Sequence, residues 1–345
     1  MLQDEVREAR VIVVSHNVSA ATICGNLGSL ANHPRVRVLE YFDGVASPAG
    51  PRNFGLIHTT ADYIAFLDSD DELDSGAMSS WSEELQSEPD VLIGQMRSIS
   101  AGQIAAPAPR VGRYMRLDPV SDLLNYRTAP VGVLARRGVL MRQDSPKFRE
   151  GFLIGEDIAL GLYLWNLSDS VNYSRSPAGY LIHESASDRV TGKDIDAEEV
   201  FAPILDAITF PQIAQLRRRR RTAIAVKLIR HQVLDRLRSF RQGGSLDGDT
   251  LRVAANTTEQ LLEFGHRVSG YLTTPEVNCV SSVIKRDLPG VCESFDLVER
   301  MSFLRAQIPD NPMMLFAPEA NLVRGIRARR MKSSFDHREG RASEQ

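Results

Sequence analysis

The stretch Tyr63–Gly76, YIAFLDSDDELDSG, drives an apolar, β-prone run into four carboxylates within five residues: Asp68, Asp70, Asp71 and Glu72. Like charges at that spacing repel one another and lower stability unless something positive joins them. The cluster is therefore either a solvated turn or a seat for a cation. A second acidic pair, Glu156 and Asp157, opens the segment GEDIALGLYLWNL. A helix dipole favours negative charge at such a start, and a partly buried carboxylate there can also act as a base. Arg52 and Asn53 stand side by side in PRNFG, and His183 follows the apolar run GYLI.

Regular elements must deliver these groups. VIVV (Val11–Val14) is a short β-branched run of the kind buried on both faces of a sheet. A helical segment around Ala20–Ala31, a strand over Val36–Tyr41, a Gly- and Pro-rich loop, a short helix near Phe54–Thr60 and a strand over Tyr63–Leu67 follow. Such alternation predicts βαβ units and a mostly parallel sheet. Ligands bind such sheets beyond the carboxyl ends of the strands, where the first acidic cluster lies. Further on, Ser75 can cap a helix to about Gln86, and Asp90–Ile99 reads as a strand. Ser100–Arg113 reads as a surface loop, Val131–Leu140 as a strand and Gly155–Leu167 as a helix. VNYSR and GYLIHE read as short strands. From Ala197 to about Arg330 the pattern is mainly helical, and the charged tail from Arg327 carries no pattern and is expected to be disordered.

PRNFGLIHTTADYIAFLDSDDEL resembles the core of glycosyltransferase family 2, in which an ARNxG helix precedes YIxFLDSDD. FREGFLIGEDIALGLYLW looks like that family's F…ED…L helix, and YLIHESASDRVT is similar to the strand after it. The resemblance spans roughly residues 9–195. It implies an α/β, GT-A-like fold: a Rossmann-type, mostly parallel sheet flanked by helices in a catalytic domain over 1–195. A mainly helical region over 196–326 would serve acceptor binding, oligomerisation or membrane docking, with residues 327–345 as the disordered tail. The implied reaction is inverting transfer of a sugar from a nucleotide-sugar donor (UDP- or another NDP-sugar) to a hydroxyl of a glycan, envelope polymer or protein, as in polysaccharide biosynthesis. The departing diphosphate gains charge, which Mn2+ or Mg2+ on one or two carboxylates would neutralise. By resemblance, Asp70 of the DxD motif is the main metal ligand and Asp68 serves the ribose or the metal. His183 is a candidate to complete the metal shell, and Arg52 and Asn53 are candidates to hold ribose or diphosphate. Asp157 is the candidate catalytic base, with Glu156 positioning it or touching the acceptor. Each has a plain structural counterpart: an acidic N-cap, a helix-terminus charge, a loop salt bridge or a surface histidine.

The N-terminal, nucleotide-binding half is abridged relative to that family, because only one βα unit precedes RNFG. In one register VIVVSHN is the first strand and VLEYFDG the second, which makes Asp43 the base-reading carboxylate. In the other, VIVVSHNVSAAT occupies the second-strand position, and Ser15 and His16 replace the base-reading carboxylates. The shortened side motivates an alternative, a degenerate GT-A-fold binding or assembly subunit without transferase activity.

Composition narrows the partners. The chain has 345 residues with a net charge of −3, 43% apolar and 25% charged residues, so no global field points to nucleic acid or membrane. Three scattered cysteines without a CxxC argue against a disulfide frame or cysteine zinc site and for a reducing, cytoplasmic setting. No signal-peptide pattern or 18-residue apolar run is evident. Arg217–Arg241 holds ten Lys or Arg against one acid, Asp235. Val226, Ile229, Val233, Leu237 and Phe240 recur within it at helical spacing. This basic helix either docks peripherally on anionic lipid at the inner face of a membrane or packs by its apolar face with its cations in water. A homo-oligomer is a further expectation for the helical region.

Overall fold

The structure is a computed structural model that describes residues 9–100, 102–104, 106–183, 195–302 and 305–342, with the side chains of 334–342 left aside. The part of YLIHESASDRVT beyond His183 lies outside the described residues.

The chain is α/β, as expected. Strands β1 (Val11–His16) and β2 (Val36–Tyr41) pair in parallel around helix α1 (Ala20–Leu27). Helix α2 covers Ala49–Ile57, earlier than the sequence suggested. Pro51 therefore sits in its first turn, where a missing N–H costs nothing, and Arg52 and Asn53 project from a helix rather than a loop. Strand β3 is only Tyr63–Ile64; Phe66 to Asp68 continue unpaired toward the acidic turn and β4 (Glu72–Leu73). Helix α3 (Ala77–Glu84) starts after Gly76, not on a Ser75 cap.

The stretch read as one strand over Asp90–Ile99 divides into β5 (Val91–Ile93) and β6 (Gln95–Ser98). The break is Gly94, where a Cβ would stand 2.5 Å from the Trp81 ring and 2.8 Å from the Gly132 carbonyl oxygen. The bend lets one chain segment serve two sheets, ordered β3-β8-β5-β9 and β4-β10-β6-β7. Here β7 is Gly102–Gln103, β8 Val133–Arg136, β9 Val171–Tyr173 and β10 Gly179–Ile182. Pairing is mixed: β6–β10 and β5–β9 run parallel, whereas β8 enters antiparallel between β3 and β5 after a long irregular connection. That connection is no surface loop throughout, since Pro107, Ala108 and Pro109 are buried. Helix α4 (Arg137–Leu140) ends the β8 segment.

Helix α5 (Ile158–Leu167) is the axis of the molecule. Every residue from Ile158 to Asn166 is buried, as its all-round apolar sequence demands. One side, with Leu160, Tyr163 and Leu164, packs on Leu56, Ile93, Val133 and Phe148 of the sheet region. The other, with Ile158, Ala159 and Leu162, joins a second core built by the C-terminal helices. Those are α6 (Ala197–Thr209), α7 (Pro211–Ala214), α8 (Arg218–Leu228), a π-helical turn (Ile229–Leu234), α9 (Asp235–Gln242), α10 (Gly248–Phe264), α11 (Thr274–Ile284) and α12 (Leu288–Arg300). The charged segment from 327 lies within α13 (Asn321–Ala342). Among the described residues no helix is long and apolar enough to cross a membrane.

The Arg217–Arg241 segment is helical with Val226, Ile229, Val233 and Leu237 buried, as its periodicity implied. Its cations, though, are largely engaged by the protein. Arg219 donates to Ser121 Oγ at 2.8 Å, Arg220 to the Asn166 carbonyl, Arg230 to Glu276 at 3.0 Å and Arg241 to Asp296 at 2.5 Å. Arg221 lies over the Phe264 ring.

Candidate active site

Three chain segments meet at the carboxyl end of the sheet: the first turns of α2, the acidic turn after β3 and the start of α5. Arg52 joins them. One guanidinium nitrogen donates to Asp68 Oδ1, and the other donates to Glu156 Oε1 at 2.8 Å. The guanidinium also lies 5.2 Å from the centre of the buried Phe148 ring. A planar fork held this way neutralises two carboxylates at once and fixes their separation.

Gly155 turns the chain into the acidic pair. Its φ of +73° is a left-handed conformation, and a Cβ there would stand 3.0 Å from Pro203 of α6. Glycine is thus needed both for the turn and for the approach of α6. Glu156 follows, 7% exposed, with Asp157 at the N-cap of α5. Asp157 forms no side-chain cap bond, so its carboxylate is not consumed in stabilising the helix end. Burial, then the charge of Glu156, pushes the Asp157 carboxyl up to about 7, against opposing pulls from Arg52 and Lys227. Glu156 is likewise raised by burial, with Arg52 pulling the other way. An acid poised near neutrality is fitted to take and return protons.

Lys227 was missed in the sequence, where it counted as one more cation of the basic helix. It is 3% exposed on α8, its ammonium lowered to about 8 by burial while the Asp157 charge works to raise it. The signal was available: Lys227 is the single charge in TAIAVKLI, a run otherwise built to be buried.

The acidic turn is braced from β10. The Tyr180 hydroxyl donates to Asp71 Oδ2 at 2.8 Å and accepts from the Asp68 amide at 3.1 Å, while the His183 amide donates to Asp71 Oδ1 at 2.9 Å. Asp71 is thus a structural clamp, which leaves Asp68 and Asp70 at the partly exposed rim. The His183 ring lies 3.4 Å from Glu72 Oε1, on the β4 side of the turn. Among the described residues, no group of three or more His, Cys, Asp or Glu could hold a metal ion. Of the two rim carboxylates, Asp68 has one oxygen on Arg52; a hard ion that takes one or two protein oxygens and completes its shell with phosphate and water needs no larger protein cluster than these two.

Asn53, a donor-binding candidate, is turned elsewhere. Its amide donates to the Phe148 carbonyl and to Glu150 Oε1, both at 2.9 Å, and its oxygen accepts from the Phe148 amide. It ties α2 to the 148–150 loop, which carries the ring beneath Arg52. Asp43 lies at the carboxyl end of β2, where Oδ1 meets His16 Nε2 at 2.8 Å. Asn17 accepts from the amides of Asp43 and Gly44. The backbone amide of Val45, then His16, holds the Asp43 carboxyl below its ordinary value. The base-reading candidates of the two strand registers, Asp43 and His16, therefore form one cluster. Ser15 is buried and spends its hydroxyl on the Val18 carbonyl.

Known proteins resemble this chain in two ways. Residues 9–142 match the sequence model of Glycosyl transferase family 2. In fold, the chain is similar to S. aureus TarS 1–349 in complex with UDP-GlcNAc, with a TM-score of 0.71 at 15% identity over 88% of this chain and 86% of that one. The same TarS fragment in complex with UDP gives a TM-score of 0.65 at 16% identity over 84% and 82% of the two chains. Full TarS gives 0.62 at 15% identity, with 84% of this chain matching 49% of TarS. No curated protein sequence matches. The chain carries the sequence pattern of glycosyltransferase family 2 over residues 9–142 and the GT-A fold over most of its length.

Proposed function

We propose that this protein is a metal-dependent, inverting glycosyltransferase that uses a nucleotide-activated sugar, with a UDP-sugar the first candidate. The observation that carries the reading is the Arg52 bridge between Asp68 of the acidic turn and Glu156 beside Asp157. It joins the acidic turn to the neighbour of a carboxylate poised near neutrality, which supports a reading in which the two work together. Asp70 and Asp68 would hold Mn2+ or Mg2+, which when bound offsets the charge developing on the departing diphosphate. Asp43, His16 and Asn17 would meet the donor's base. Asp157 takes the proton of the acceptor hydroxyl as that oxygen attacks the anomeric carbon from the face opposite the diphosphate, which inverts the configuration. Glu156, fixed by Arg52, positions Asp157, and Lys227 favours its ionised form. The His183 ring, beside Glu72, is a weaker candidate ligand than its sequence position implied.

The acceptor is a hydroxyl of a glycan, polymer or protein, with the helical region on its side of the base. The engagement of Arg219, Arg220, Arg221, Arg230 and Arg241 within the protein favours a role in building the site over lipid docking. Thermal unfolding with UDP, GDP, ADP and CDP, with and without Mn2+, tests the reading. A ligand at 100 times its Kd stabilises the folded state by about 2.7 kcal/mol, so one nucleotide should raise the melting temperature in a metal-dependent way. Asp70→Ala should remove the metal dependence. If no nucleotide shifts the transition even with Mn2+, the alternative of a binding or assembly subunit without activity takes its place.

A further inference from the structure

A cavity of about 470 Å³ lies outside the carboxylate constellation, between the connection before β8, the π-helical turn and α13. Tyr126 and Thr128 line it from the first, His231 and Gln232 from the second, and Asn321, Arg324 and Gly325 from the third. Its size is that of a small-molecule site. A π-helical turn is rare and recurs at functional sites, and this one carries two of the polar side chains of the wall.

Arg324 is the unusual member. Its guanidinium stacks 3.9 Å from the centre of the Tyr126 ring, donates to Asn321 Oδ1 at 3.2 Å and meets His231 Nε2 at 2.9 Å. His231 in turn places Nδ1 2.9 Å from Asp235 Oδ2. An arginine donating to Nε2 requires the tautomer with hydrogen on Nδ1, so His231 is neutral there; burial, its largest influence, also lowers its pKa. The nearby carboxylates are taken: Glu276 by Arg230 and Asp235 by His231 and Arg238. Among the described residues Arg324 makes no ion pair, and burial depresses its pKa with Arg230 adding to the effect. A partly buried cation whose partners are an amide, an imidazole and a ring is incompletely compensated.

We propose that this cavity is a binding site for a sugar-sized organic anion, its carboxylate or phosphate paired with Arg324 and its body seated among Tyr126, Thr128 and Gln232. The amide and hydroxyl groups of the wall suit a hydroxylated body, and the apolar Ala106, Ala108 and Leu123 give it a floor. The site is independent of the assignment of the carboxylate constellation.

Two variants test it. Arg324→Gln removes the cation. Gly325→Leu fills the space and leaves Arg324 in place; a Cβ at Gly325 meets nothing within 4 Å, so the helix accepts it. Thermal unfolding of the full chain is followed with millimolar ribose 5-phosphate, with gluconate and with chloride at equal ionic strength. The expected result is a rise of several degrees with one or both organic anions, none with chloride, and loss of the rise in both variants. The phosphate and carboxylate arms tell which headgroup is preferred. No shift with either anion in the wild-type chain overturns the proposal. So does a shift that survives both variants, since that places the anion elsewhere, the donor site included.

Discussion

Replacing Asp157 by Asn should abolish turnover and at the same time stabilise the protein, by an amount that grows as pH rises from about 4 to about 7 and is level above that. The folded-state carboxyl is pushed to about 7 from an ordinary 3.8. The folded chain therefore binds a proton that the unfolded chain has released throughout that window, and stability falls as pH rises through it. Each unit corresponds to about 1.4 kcal/mol, so holding the ionised carboxylate costs at most about 4 kcal/mol above pH 8. Because Glu156 shares the same proton equilibrium, about 2–4 kcal/mol is the expected range at Asp157. Asn is a neutral isostere of the protonated acid in both states, so the variant should match the wild type only below about pH 4 and should hold roughly half of its full advantage by about pH 5.5. At pH 8.5 it should melt higher by roughly 4–8 °C, taking about 2 °C per kcal/mol for a chain of this size. The assay is thermal unfolding of both proteins across about pH 4 to 9, where the titrating groups that do not interact with Asp157 cancel in the difference. Turnover should fall by about 10²–10⁴ if Asp157 is the base. A melting difference that does not change with pH would refute the reasoning, because it would mean that Asp157 is solvated and ordinary.

Three further perturbations probe the same construction. Lys227→Met removes the buried cation that favours ionised Asp157, so the acid limb of the pH–rate profile should move upward by on the order of one unit; an unmoved limb would show that Lys227 does not act on the base. Arg52→Lys keeps the charge but cannot reach both Asp68 and Glu156, so urea denaturation should show a loss of roughly 1–3 kcal/mol, and retention of full stability would mean that the bridge is dispensable. Cys279 is buried with its thiol pushed up to about 12, chiefly by burial, whereas Cys24 and Cys292 are half-exposed. A colorimetric thiol reagent should therefore titrate two thiols in the native protein and the third only in denaturant, and rapid reaction of all three would contradict the packing of α11.

What could be read from the sequence was what local physics determines. The β-branched runs of β1 and β2 and the all-apolar α5 place themselves, because burial leaves each a single solution. The acidic turn and the Glu156–Asp157 pair were visible as charges with no local use. Partners distant along the chain were not. Asn53 bonds the 148–150 loop across 95 and 97 residues of chain. Tyr63–Leu67 carries the composition of a full strand, yet only Tyr63 and Ile64 pair, since the chain must leave the sheet to hand Asp68 to Arg52 and its amide to Tyr180. Pro51 read as loop because position within a helix, not residue type, decides whether proline is tolerated. Lys227 was obscured by the arginines around it, although its apolar flanks mark it as the buried one.

The charges around the site also say what the helical region contributes. Among the described residues, Arg52 is the cation of the α/β part that acts on Asp68, Glu156 and Asp157 together, one positive charge against three carboxylates. Lys227, carried on α8, supplies the second cation from the other side of α5. Asp157 is therefore under the pull of an arginine of the α/β part and a lysine of the helical region, and its protonation depends on how the two are held relative to each other. Ile158 and Leu162 of α5 belong to the same hydrophobic core as Ile224, Leu228 and Ile229, and that core holds the two cations in place. Separating the two regions would remove Lys227, so an isolated fragment ending before α6 should lose the tuned carboxylate even where its sheet still folds. Within the acidic turn the compensation is local: Asp68 has Arg52 as its cation, while Asp71 is held by the Tyr180 hydroxyl and the His183 amide.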